Sequence, residues 1–202
     1  MRRLFAQFVV LAVGSIALVG LGSVSSMLAT HRATPIANDD STVTAVRAQL
    51  ADARHELERA HQILEFSGLY SVPADLCARI YDAAVAERIP PAVGFRLVRI
   101  ESGFQTGAES DAAAIGLTQL RLTTARGYNP MVNASDLMNA DVNLRLGFRY
   151  LHDLLDRFGQ NLPVALEAYN KGPTLVSAQQ DEGTTVEGRY SKAVLAGLRR
   201  RG

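Results

Sequence analysis

The 202-residue sequence has no tryptophan, one cysteine and four histidines, and its formal net charge is only +1. A single cysteine excludes an intramolecular disulfide. With so few histidines it also argues against a structural zinc site. The near balance of charge, 21 Lys and Arg against 20 Asp and Glu, gives no basis for a nucleic-acid partner, which calls for a strongly basic surface. Strand-like alternation is almost missing as well. Helical periodicity, broken by glycine, proline and asparagine, recurs along most of the chain.

Charge is absent where its absence is most informative. No charged residue falls between Arg3 and His31, and Phe8 to Leu28 is almost wholly apolar. As a helix this run would measure about 31 Å, the thickness of a bilayer core. Arg2 and Arg3 precede it, and the positive-inside rule keeps them in the cytoplasm. An uncleaved anchor and a cleaved signal peptide both fit, the latter with a small-x-small site at Ser23-Val24-Ser25 inside the run. Either way the rest of the chain is exported; a buried core helix is the remaining alternative.

The chain divides into three segments: an anchor or signal at 1–30, a linker and amphipathic helix at 31–71, and a domain at 72–202. Their formal charges are +2, −2 and +1. Residues 33–41 read as a linker. Val43, Val46, Leu50, Ala53, Leu57, Ala60 and Leu64 then follow at steps of three and four, a heptad pattern over three repeats. This predicts a helix ending near Ser67-Gly68. It is either a short coiled coil, giving a possible homodimer through 43–64, or one amphipathic helix lying on the domain or beside the membrane.

Within the domain, Pro73 suits the first turn of a helix that carries Leu76, Cys77, Ile80, Ala83 and Ala84, with Cys77 as a small buried hydrophobe. Ile89-Pro90-Pro91 breaks it, and a second helix is expected over Pro91 to Ser102 with Gly103 as its stop. Val93, Leu97 and Ile100 mark the apolar face of this second helix. Glu101 lies four residues beyond Leu97 and eight beyond Val93, so it projects along the buried stripe. Lost hydration and the negative end of the helix dipole both favour its protonated form. That is the state a general acid needs. The alternative is a structural glutamate paired with Arg96, Arg99 or Arg121.

A small-residue stretch over 107–120 follows, in which Gln119 needs hydrogen-bond partners from protein or ligand. Further helices are expected over 141–158, with Val142, Leu146, Phe148, Tyr150, Leu151, Leu154 and Leu155 on the buried side, and over 161–169. A turn is expected at 170–173, a loop at 183–188, a closing helix over 190–198 and a solvated tail at Arg199-Arg200-Arg201.

Four of these pieces, in order, resemble lytic transglycosylases of the soluble-transglycosylase (SLT) type, a family with a lysozyme-like helical fold. Ile100-Glu101-Ser102-Gly103-Phe104 is similar to the family's Glu-Ser motif. Ser110 with Ala114-Ile115-Gly116-Leu117-Thr118-Gln119 resembles its Ser…Gly-Ala-x-Gly-Leu-Met-Gln run. Asn143, Gly147 and Tyr150-Leu151 resemble the helix behind the site, and Ala168-Tyr169-Asn170-Lys171-Gly172-Pro173 its Ala-Tyr-Asn-Ala-Gly-Pro. The likeness runs from about Val72 to Leu198.

The resemblance implies cleavage of the β-1,4 bond from N-acetylmuramic acid to N-acetylglucosamine in peptidoglycan glycan strands, without a cofactor or metal. Glu101 would be the single acid and then base, leaving a 1,6-anhydro end, with the substrate's N-acetyl group relieving charge at C1. No second carboxylate is required of the nearby Glu109 or Asp111. Ser110, Thr118 and Gln119 correspond to substrate-contacting residues. Tyr169 and Asn170 would orient the acid or the sugar, and Tyr190 would close the cleft. Core packing is the alternative role for Tyr169 and Tyr190, and a turn for Asn170; Asn143 reads as a buried structural amide. The resemblance places the enzyme in a bacterial envelope, with its domain in the periplasm and the N-terminal helix as its link to the inner membrane. Related alternatives are a goose-lysozyme-like hydrolase and a weakly active, peptidoglycan-binding assembly protein.

The sequence also departs from the family pattern. Arg121-Leu122 follows Leu120 where the family has an apolar run. An Arg121 facing the acid would lower its pKa, so it is expected to point away or to bind substrate. Ala113 stands where glycine is usual, and Thr118 where methionine is. Glu187 sits one residue too close to Tyr190 to inherit the role of a family glutamate.

Overall fold

The computed structural model describes residues 40–186 and 188–196. The anchor or signal, the linker up to residue 39, Glu187, Leu198 and the terminal arginines lie outside the described residues. No helix among the described residues is long and apolar enough to cross a membrane. Chain contacts separate Met1–Val43 from Thr44–Gly202. In the first unit the described residues are 40–43, the opening turn of a helix.

That helix, α1, spans Asp40–Tyr70. It runs past Ser67-Gly68, the expected stop, and ends before Ser71, whose φ is +55°. Packing explains the extension. Ile63 and Phe66 are buried, and the Phe66 ring stacks on Phe95 at 4.0 Å between centroids. Tyr70 continues the stack, 5.9 Å from Phe95. This contact outweighs the cost of about 1 kcal/mol for a glycine inside a helix. Arg59 adds a bidentate pair with Asp82, its Nε donating over 2.7 Å. The heptad residues do not dock: Val46, Leu50, Leu57 and Leu64 are 50–71% exposed. The face that packs on the domain is therefore offset from the seam, and the core reaches back to Ile63, upstream of the boundary expected at residue 72.

Next come α2 (Ala74–Ala86) and α3 (Pro91–Ser102), in the places expected. Pro91 opens α3 and Gly103, at φ +58°, closes it. Val93, Leu97 and Val98 are buried along α3. Ile100, expected on that face, is 42% exposed. It sits one residue, or 100° of helix, away from Glu101, whereas Val98 is three residues back on the same side.

The chain then forms a small lobe that the sequence did not signal. Strands β1 (Ala114–Ile115) and β2 (Leu120–Arg121) pair antiparallel, and α4 (Leu122–Tyr128) and a 3₁₀ turn at Asp136–Met138 follow. The described fold is thus helical with one minimal hairpin. Ile115, Leu120, Ala125, Val132, Leu137 and Leu146 form a core of their own under this lobe.

Helix α5 (Ala140–Arg157) begins at Asn139, whose side chain accepts from the backbone N–H groups of Asp141 and Val142. It is the central support: α2, α4 and the next helix, α6 (Leu162–Lys171), all pack on it. Phe148, Leu144 and Leu151 are fully buried there, together with Ile80, Phe95, Leu97, Leu117 and Leu166. Gly172, φ +91°, lets α7 (Pro173–Asp181) start at once where a turn alone was expected. The last described helix, α8 (Arg189–Leu195), packs on α3 and α6.

Candidate active site

Glu101 occupies the last turn of α3, half-buried, at the end of the stripe carrying Val93, Leu97 and Val98. Loss of water raises its pKa above the ordinary carboxyl value, and a hydrogen bond donated by the Tyr190 hydroxyl to its Oε1 partly opposes the shift. The balance still favours the neutral acid relative to an exposed glutamate. None of the three candidate arginines neutralises it. Arg96 donates instead to the backbone carbonyls of Ala193 (2.6 Å) and Val194. Arg99 lies over the Tyr70 ring, 5.6 Å from its centre. Arg121 is exposed on the cleft wall and makes no ion pair with Glu101.

The cleft beside Glu101 has a volume of about 450 Å³. One wall is the hairpin lobe and the other the C-terminal end of α6. Ser110, Gln119, Tyr169 and Asn170 all line it, so these four predicted residues converge on Glu101. Ser110 starts a tight loop: its Oγ accepts from the N–H of Ala114 at 3.1 Å, and its carbonyl accepts from Ala113. Ala113 there has φ +56°, the left-handed conformation the sequence departure from glycine would disfavour. Gln119 spends its amide N–H groups on the carbonyls of Ala108 (3.1 Å) and Gly116 (3.0 Å), which leaves Oε1 for a ligand. Asn170 is exposed in the last turn of α6 and is not part of a turn.

Tyr169 donates from its hydroxyl to the Thr118 carbonyl at 2.9 Å, and burial holds its pKa well above the usual tyrosine range. Its ring packs against the core and also lines the cleft. Tyr190 reaches Glu101 from α8; burial and then the charge of Glu101 raise its own pKa, so it stays a donor.

Thr118 is a correction. Expected to contact substrate, it is fully buried. Its Oγ1 donates to Asn143 Oδ1 at 2.8 Å, and its backbone N–H donates to the same oxygen at 2.8 Å. Asn143 completes its amide by donating to the carbonyls of Ile115 and Leu137. It is thus the structural pin that holds the hairpin on α5. The pin demands glycine at 116: φ is +76°, and a Cβ there would fall 2.3 Å from Asn143 Nδ2 and 2.5 Å from the Leu137 carbonyl.

Four further polar residues line the cleft without having been singled out for it in the sequence. Tyr150 was assigned to the buried side of its helix, but it lines the cleft and its ring meets Tyr169 at 5.2 Å. Thr123 and Thr124 come from α4, which the sequence did not announce. Lys171, a departure from the family's alanine, also lines the wall. Glu101 is the only carboxylate among the lining residues described; Glu109 and Asp111 are exposed outside that lining. No cluster of three or more His, Cys, Asp or Glu that could hold a metal is present among the described residues.

Residues 79–191 match the family model described as the Transglycosylase SLT domain. Among solved structures, an inactive mutant of the lytic transglycosylase Slt from Pseudomonas aeruginosa is similar at 28% identity and a TM-score of 0.53, over 59% of this chain and 22% of that one. The 70 kDa soluble lytic transglycosylase SLT70 from Escherichia coli aligns at 23% identity and the same TM-score, over 58% of this chain and 22% of its own, a likeness of fold. The 70-kDa soluble lytic transglycosylase in complex with bulgecin A aligns at 22% identity over the same shares. The chain thus matches about a fifth of the length of these proteins. From the family match over more than half its residues, the chain belongs to the transglycosylase SLT domain family.

Proposed function

We propose that the chain is a peptidoglycan lytic transglycosylase acting at the bond between N-acetylmuramic acid and N-acetylglucosamine, with Glu101 as both acid and base. One observation carries this reading: among the described residues the cleft is lined by a single carboxyl group, that of Glu101, half-buried, its pKa raised by burial, and bonded to Tyr190. Glycosidases that use water or a covalent intermediate generally employ a pair of carboxylates. A lone one must both give and take the proton, which calls for a pKa drawn towards the working pH.

In the first step the Glu101 acid gives its proton to the glycosidic oxygen as the C1–O bond breaks. The N-acetyl oxygen of the muramic acid relieves the positive charge at C1. In the second step the Glu101 carboxylate takes the proton of the C6 hydroxyl as that oxygen bonds to C1. The acid is regenerated, no water is consumed, and the muramic acid end becomes 1,6-anhydro. Ser110, the Oε1 of Gln119 and Asn170 supply hydrogen-bonding groups along the wall, and Tyr190 orients the acid. Thr118 acts through its carbonyl, by fixing Tyr169.

The apolar run at 8–28 supports export and attachment to the inner membrane, with the domain in the periplasm. The exposed seam over 43–64 supports a homodimer, since its apolar positions face away from the domain. Mass spectrometry of peptidoglycan digested by the protein tests the activity: anhydro ends are expected, and Glu101→Gln should abolish them. Reducing ends in their place would make the enzyme a hydrolase.

A further inference from the structure

Glu167 has no part in the mechanism above, yet it is a fully buried carboxylate in the middle of α6. A buried charge is costly unless it is paired and hydrogen-bonded. Its Oε1 accepts from the backbone N–H of Ser191 at 2.8 Å, and its Oε2 lies 2.8 Å from Lys171 Nζ. Burial pushes its pKa up, but the bonds from Lys171 and Ser191 outweigh this and hold it below the ordinary carboxyl value.

The N–H of Ser191 belongs to the first turn of α8, where intrahelical acceptors are lacking. That helix has glycine at its N-cap, position 188, so no N-cap side chain accepts the N–H of Ser191; the Ser191 hydroxyl for its part accepts from the Gly188 N–H. A Cβ at Gly188 would come within 2.5 Å of Glu167 Oε2 and 2.6 Å of Oε1. The space a side chain would fill at the start of α8 is taken by the Glu167 carboxylate. The other end of α8 is gripped by the Arg96 guanidinium, on the carbonyls of Ala193 and Val194. A carboxylate at the N-terminus and a cation at the C-terminus both oppose the helix dipole favourably. Between the two grips, on the first turn, stands Tyr190, whose hydroxyl donates to Glu101.

We propose that Glu167 is a positioning residue for catalysis: its carboxylate caps α8 from α6 and thereby fixes the Tyr190 hydroxyl against the Glu101 carboxyl. This rests on the reading of Glu101 as the acid. Among the described residues, Tyr190 and Tyr169 are the titratable groups facing Glu101, and Lys171 and Tyr190 those facing Glu167.

The test compares full-chain Glu167→Ala, Glu167→Gln and Tyr190→Phe, and the combination of Glu167→Ala with Tyr190→Phe. Anhydro-product release is measured across pH and normalised to folded protein by circular dichroism. Tyr190→Phe removes a bond that favours ionised Glu101, so the high-pH limb of kcat should move up. Glu167→Ala should move it in the same direction and lower kcat by about tenfold, the scale of a small misplacement near the chemistry, with KM nearly unchanged. Glu167→Gln keeps an acceptor for Ser191 and should restore most of the rate. In the Tyr190→Phe background Glu167→Ala should add nothing. A folded Glu167→Ala protein with wild-type kcat and pH limb, or effects that add to those of Tyr190→Phe, would overturn the proposal. If Glu167→Ala does not fold, Glu167→Asp carries the same comparison and prediction, because it keeps the charge for Lys171 but withdraws it from Ser191. Failure of the underlying reading would look different: an inactive wild type, or an active Glu101→Gln.

Discussion

Glu101 and Glu167 are the same side chain in opposite company. Glu101 has lost water, which raises its pKa, and a single neutral donor opposes this only in part; Glu167 has a cation and a backbone N–H, which together outweigh its burial and lower its pKa. A raised carboxyl pKa means that folding takes up protons, so the stability linked to Glu101 is full below the unfolded value of about 4.3 and is lost as pH rises through the folded value. Glu101→Gln should therefore raise Tm at pH 7, and by less as the pH falls towards the ordinary carboxyl range, as read by thermal melts in a pH series. Backbone strain gives a second residue-scale prediction. Ala113→Gly relieves a left-handed alanine and should stabilise by about 0.5–1 kcal/mol, whereas Gly116→Ala should cost about 3 kcal/mol, both measurable by urea unfolding. Most of the cleft was legible in the sequence: Glu101 through its place at the end of an apolar helix stripe, and Ser110, Gln119, Tyr169 and Asn170 through the resemblance of their motifs to the SLT pattern. Thr118 was misplaced because a hydroxyl's type does not reveal its partner, here Asn143 on a different helix. Glu167 was hidden because its cap lies on α8, distant in sequence.

At the scale of elements, the helices with long periodic patterns emerged where expected: α2, α3, α5 and α6 agree with their apolar spacing and breakers. The hairpin did not, since two-residue strands are too short for alternation to register. Helix α7 was read as a turn because Gly172-Pro173 signals a break, and a break is also how a new helix begins. In α1 the heptad was visible but the docking face was not: Ile63, Phe66 and Tyr70 form a second spacing of three and four, whose meaning comes from Phe95. Truncating each face should separate them. Phe66→Ala removes a ring from the core and should cost about 3–5 kcal/mol. Leu57→Ala, on the exposed seam, should change monomer stability by less than about 0.5 kcal/mol. Chemical denaturation of the two variants at low protein concentration makes the comparison.

For the molecule as a whole, the near-zero charge and bland mean hydropathy of +0.04 average over an apolar N-terminal run, an acidic stalk and a nearly neutral domain. The proposed assembly follows from that division, with a membrane-proximal stalk presenting its seam to a second copy. Cross-linking of the full chain should trap a dimer that charged substitutions at Leu50 and Leu57 abolish; monomer alone at high concentration would remove the stalk's proposed role. The central claim is that one carboxyl group both gives and takes the proton. The most direct measurement is the mass of the muramic acid ends released from peptidoglycan by the wild-type chain and by Glu101→Gln. The account predicts anhydro ends, one water lighter than hydrolysis products, from the wild type and none from the variant. Reducing ends from the wild type, or anhydro ends persisting in Glu101→Gln, would contradict it.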